Sequence, residues 1–411
     1  MRSIPSTFRA LLGLLVCAAL QAQEGEWPRF RGPNGAGCSP HPVPLEWNDS
    51  TTRWTIELPG TGHGSPVVWG DCIFLLAGDE KTGTRIPLAV NRGDGAILWQ
   101  HSVAAGDSKK HRFNSVASTT PAADARHVYF SWGTKEKLSL VAYTHAGEPV
   151  WERDLGGVVG GHGFGGSPTV VGDLVILNND QDKASGSLLA LDAETGETRW
   201  EVPRKGQRLS YSVPVLFEHG DVRALIFTNW QHGFTAVDPA TGTVLAEKSA
   251  FDTTTNERAI SSPIQCGELT IGTCGFTSNP KHCVAMKFDG KEFTEVWRIE
   301  KSVPHIPSVL AHEGLVFLWG DGGIVTCVDG ITGESLWRER VPGSTYMGSP
   351  VLAGDALIAI DVDGKAVAIR AGRTFEILAE NELGELFRST PAAVDGTLYL
   401  RTFSKLTAIG E

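Results

Sequence analysis

Eight loops of this 411-residue chain run into a proline and carry side chains able to bind a ligand. Read backwards from Pro66, Pro121, Pro168, Pro214, Pro263, Pro307, Pro350 and Pro391, they supply His63, Asn114, His162, Tyr211, Arg258, His305, Tyr346 and Arg388. One donor per loop is what a concave pocket of convergent polar groups requires. Guanidinium, imidazole, phenol and amide together suit an anionic or sugar-like ligand. The same residue types are also acceptable in any wet surface loop. His63, His162 and His305 come from separate loops with no ligand spacing, which argues against a metal.

Other chemistries find little support. "GHGFGG" (161–166) is formally GxGxxG, but it leads into a strand instead of joining a strand to a helix, so it lacks a phosphate cradle. "NNDQDK" (178–183) gathers oxygen ligands but not the spaced carboxylates and final glutamate of a calcium loop, and reads as a solvated turn. The "GSP" serines recur from loop to loop, which marks them as structural, and no GxSxG elbow occurs. Among the seven cysteines there is no CxxC or CxxCH, which argues against zinc, dithiol or attached-haem chemistry. Cys274 and Cys283 flank one expected hairpin loop and are the best candidates for a disulfide.

The elements that position these loops are repeats. The prolines stand 41 to 55 residues apart, the period of four-stranded propeller blades. After each comes a strand, a turn and a second strand, with Gly-Asp at the turn in four of the eight, as in "GSPVVWGDCIFLL". The phrase "ALDAETGETRW" (190–200) follows, with copies at 89–99, 236–247 and 327–337. Its aspartate can bond the turn backbone, and Gly196 can take the left-handed conformation that closes the hairpin. Trp54, Trp99, Trp151, Trp200, Trp297 and Trp337 share one slot, with Leu245 and the Leu378 region replacing it elsewhere. Six equivalent tryptophans point to packing between blades rather than to one ligand. The last repeat stops within its third strand at "KLTAIGE". The fragment "TTRWTIEL" (51–58) has a fourth-strand sequence with no third strand before it. Residues 53–58 should therefore complete the blade begun at Pro391, closing an all-β, eight-bladed propeller of four-stranded antiparallel blades and removing its free edges.

These units resemble the pyrroloquinoline-quinone-type (PQQ-like) propeller repeat of quinoprotein alcohol and glucose dehydrogenases and of the outer-membrane β-barrel assembly lipoprotein. The resemblance covers roughly residues 51–411. The opening "WPRFRGPNGAG" with "GHGSPVVWGD" looks like secreted repeat proteins of planctomycete-type bacteria. The dehydrogenase branch would imply adjacent cysteines against the quinone, a calcium site and a catalytic aspartate, and none of these maps onto a motif here. No cofactor is expected on this reading, and neither PQQ nor calcium is supported by motifs.

The N-terminus reads as a signal peptide. Arg2 and Arg9 precede the apolar run 10–20, with cleavage near Ala22; Cys17 lacks a lipobox. Removing residues 1–22 takes the formal charge from -11 to -13. An acidic chain with no basic stripe argues against nucleic acid as a partner, and no later run is long enough to span a membrane. Residues 23–50, rich in Gly and Pro, read as an irregular strap across a face or the outer wall. The function expected is that of an exported, non-catalytic, monomeric propeller in the periplasm or outside the cell, binding a protein or small ligand. The alternatives are a divergent PQQ-dependent alcohol or sugar dehydrogenase and an outer-membrane assembly factor.

Overall fold

Alternating apolar runs and glycine turns fold as the repeats require. The computed structural model describes residues 25–106, 110–206, 208–254, 257–276 and 281–411; the expected signal peptide lies outside them. Among these residues the strands form eight sheets, each with four antiparallel strands as its framework, consecutive in the chain in seven of them. The third blade is representative: Thr169–Val171, Leu174–Asn179, Ser185–Asp192 and Thr198–Lys205, from the channel outwards. Its middle strands are buried on both faces because a blade is sandwiched between two others. The outermost strands alternate instead, as in Thr52–Glu57.

The repeated phrase has the two roles its composition suggests. Asp192 Oδ1 accepts from the Glu194 and Thr195 N–H groups at 3.0 and 2.9 Å, and Gly196 has φ 70°. Ala190 pairs across the strand with Trp200. The Trp200 indole donates to Pro239 O of the next blade at 2.9 Å and packs on Gly242, where a Cβ would sit 2.7 Å from the ring. Trp54, Trp99, Trp151, Trp297 and Trp337 likewise donate to carbonyls of the following blade. In most of these turns, then, the glycine answers both to backbone conformation and to the neighbour's indole. Facing sheets form the interblade cores, as where Ile176, Leu188 and Trp200 meet Leu225, Phe227 and Val237, and the seventh, eighth and first blades share one core with Trp27.

The ring closes as expected. Thr52–Glu57 is the outermost strand of the eighth blade, antiparallel to Lys405–Ile409. Seven of the eight prolines stand one residue before an innermost strand. Pro307 is the exception: Leu310–His312 is preceded by Val309, and Pro307 lies two residues further back.

Residues 26–39 depart from the expected strap and fill the central channel. Trp27 bridges Val68 in the innermost strand of the first blade. The chain climbs to Phe30, turns through Arg31 (φ 61°) and Asn34 (φ 48°), and descends as Cys38–Ser39, parallel to Val351–Ala353 of the seventh blade. Innermost strands leave one edge unpaired, and this plug satisfies part of it. Asn34 exchanges two hydrogen bonds with Leu216, and Ala123 donates to Pro28 O. Only the following residues cross the far face, where Pro42 packs under Gly354 and Asn381 holds Leu45 and Trp47.

Two further expectations are overturned. All six described cysteines are free. Cys283 pairs with Thr273 and Cys274 with His282, so the two thiols point to opposite faces of one hairpin and into different cores. "NNDQDK" is not a solvated turn either. Asp180 is buried against Arg204 at 3.3 Å and accepts from Asn229 at 2.7 Å, and Asp182 pairs with Arg258.

Candidate functional site

Directly behind the channel mouth, hydroxyls link the blades into a belt. The Ser65 N–H donates to Thr120 Oγ1, and the Thr120 N–H to Ser167 Oγ. Val213, Ser262, Ser308 and Ser349 donate in turn to Ser262, Ser308, Ser349 and Thr390, and Thr390 returns to Ser65, all at 2.9–3.0 Å. Only the junction between the third and fourth blades lacks the acceptor hydroxyl, because Val213 occupies that position. The "GSP" serines are therefore structural, as their recurrence implied.

Above the belt lies a cavity of about 470 Å³ whose lining includes Phe30 from the plug. His63, Asn114, His162, Tyr211, Arg258, His305 and Arg388 all line it. Tyr346 does not. It is fully buried, its hydroxyl donates to Pro342 O, and its ring packs edge-on to Trp319; Met347 lines the cavity in its place. Several of the seven are committed to holding loops. Asn114 Nδ2 donates to His162 O at 2.8 Å, and Tyr211 Oη to Gly163 O at 3.0 Å. Arg258 forms two 3.0 Å hydrogen bonds with Asp182 and a third, at 3.2 Å, with the His162 ring. Burial raises the Asp182 carboxyl, but Arg258 and the Leu209 N–H more than offset it, so it stays ionised.

The opposite side of the mouth differs. Arg112 and Arg388 both lie over the Phe113 ring, at 4.6 and 5.0 Å from its centroid. Neither has a carboxylate within ion-pair distance among the described residues, and Arg388 Nε is buried with no acceptor. Arg388 Nη1 reaches only His63 Nε2 and Arg112 O, both at a long 3.4 Å. Burial, and then the Arg112 charge, lower the Arg388 guanidinium. Burial and the charges of Arg401 and Arg388 pull His63 down to about 3, and burial pulls His305 down to about 4, so both rings are neutral at pH 7. His111, Arg112, Phe113 and Phe30 carried no repeat signal. The cue available was the 55-residue spacing between Pro66 and Pro121, the longest, which contains "HRFN".

The sequence matches the family model described as outer membrane protein assembly factor BamB over residues 82–270 and 283–409, more than half of the chain. It belongs to this PQQ-like propeller family. BamB from Moraxella catarrhalis superposes with a TM-score of 0.62 at 16% identity, covering 88% of this chain and 97% of that one. A europium-containing methanol dehydrogenase gives 0.66 at 12% identity, with 94% and 98% covered. Quinohemoprotein alcohol dehydrogenase from Comamonas testosteroni gives 0.69 at 16%, with 95% and 81% covered. At these identities the likeness is one of fold. No curated protein matches by sequence.

The resemblance to quinoprotein dehydrogenases implies a calcium-assisted quinone site, which the residues of the mouth can be tested against. The cavity lining contains no aspartate, glutamate or cysteine, and Phe30 of the plug forms part of it. Hard cations take oxygen ligands, chiefly carboxylates; a lining of arginine, histidine and hydroxyl donors does not fit a calcium–quinone pair.

Proposed function

We propose that this family member is an exported, non-catalytic binding propeller of the cell envelope, whose ligand site is the channel mouth. Its ligand carries an anionic group attached to an apolar or aromatic body. One observation carries this reading: Arg112 and Arg388 share the Phe113 ring without a carboxylate partner, while the other mouth arginine, Arg258, is neutralised by Asp182. Guanidiniums bind carboxylates and phosphates through paired N–H donors, and Phe30, Phe113 and Phe276 offer apolar surface around them.

Calorimetric titration of the intact protein with citrate, glucuronate, phenyl phosphate and PQQ itself tests the proposal. Saturable binding by at least one is expected, with R388A or R112A weakening it roughly 10- to 100-fold, the scale of a charged hydrogen bond. Absence of binding, or affinity unchanged in both variants, refutes the reading. The family match supports a second role as an envelope assembly scaffold. Crosslinking in cells followed by recovery of outer-membrane assembly proteins would support that role; recovery of none would reject it.

A further inference from the structure

We propose that the central channel holds a small inorganic anion, such as chloride, bound by Arg29 and Arg31 of the plug. The segment "WPRFRGPNGAG" builds room for these side chains. A Cβ on Gly35 would sit 3.4 Å from Arg29 Nη2, and one on Gly37 would sit 2.8 Å from Arg31 Nη2. Arg31 therefore rests against glycine backbone where a side chain at position 37 would crowd it, and Arg29 lies in ordinary contact distance of Gly35. Arg31 is fully buried and Arg29 nearly so.

Their hydrogen-bonding capacity is mostly unused. Arg29 Nη2 donates to Pro214 O at 2.7 Å, and Arg31 Nη2 to Ala36 O at 3.3 Å. Arg29 Nε, Arg31 Nε and Arg31 Nη1 are buried with no protein acceptor, as is the indole N–H of Trp27 on the same segment. No carboxylate lies within ion-pair distance of either guanidinium among the described residues. Burial, with the Arg31 charge adding to it, lowers Arg29 to about 9, and burial lowers Arg31 to about 10. Both remain protonated at pH 7, so two positive charges stand inside the channel. Uncompensated buried charge is strongly unfavourable, and an anion that accepts the free N–H groups removes the imbalance.

This inference is independent of the mouth reading, and its test separates the two. Crystals of the full protein grown in bromide should give an anomalous peak in contact with both guanidiniums, unchanged in R388A. In thermal unfolding at constant ionic strength, replacing gluconate by chloride should raise the Tm saturably, by about 3 °C at a hundredfold excess over Kd. R31M should lose this dependence. Should R31M not fold, the bromide peak in the unmodified protein decides. A parallel phosphate series separates halide from oxyanion: stabilisation by phosphate alone, with phosphate density at the same position, supports the site with a different occupant. Absence of any anion density, together with a Tm indifferent to anion identity, overturns the proposal.

Discussion

At the scale of single residues, the mouth is defined by which charges are neutralised and which are not. Its histidines make that testable through pH. An unfolded histidine protonates near 6.5, whereas His63 and His305 are held at about 3 and about 4. On acidification below 6.5 the unfolded chain therefore takes up protons that the native state refuses, and stability falls until the folded values are reached. Thermal unfolding should show a Tm that declines between pH 6.5 and 5, above the carboxylate range, and H63Q with H305Q should flatten that slope. An unaltered slope in the double variant would show that these rings do not resist protonation. Seven of the residues lining the mouth are legible in the sequence because each precedes a repeat boundary. Tyr346 is not, because adjacent residues in a loop alternate between core and cavity, and the count back from a proline does not say which faces inward. Arg112 and Phe113 are not legible either, because they sit in a unique loop, where no copy in another blade fixes a register.

At the scale of elements, the hydroxyl belt makes a paired prediction. In S308A the buried Ser262 N–H loses its acceptor, and the loss should be about 1–3 kcal/mol in denaturant unfolding. V213T, nearly isosteric, would offer Ser167 the acceptor that this junction alone lacks, and should raise stability by about 1 kcal/mol. If S308A is neutral, the belt contributes little to holding the blades. Blades, turns and closure were legible from the sequence because repetition averages over local ambiguity and the phrase combines a turn aspartate, a left-handed glycine and an interblade indole. The plug was not legible. Its role depends on the unpaired inner edges of strands far away in sequence, and nothing local in "WPRFRGPNGAG" states that those edges need a partner. The disulfide expectation failed for a related reason: flanking a hairpin loop fixes proximity, whereas the register of the pair fixes the face.

At the scale of the whole molecule, closure and plug belong to one N-terminal segment. Deleting residues 52–57 uncovers the Lys405–Ile409 edge and unseals the ring, so the variant should lose its single cooperative unfolding transition by calorimetry. A retained transition with unchanged Tm would mean that the other blades hold the circle alone. The pairing of Thr52–Glu57 with Lys405–Ile409 also dictates an order of events. An early strand waits for one about 350 residues later, so the chain cannot complete its ring until nearly all of it is available together. Such a long loop closure is slow. A polypeptide threaded through a membrane channel from its N-terminus would thus stay unlatched during passage and lock only on the far side, with the arginine-bearing plug enclosed as the last blade is sealed.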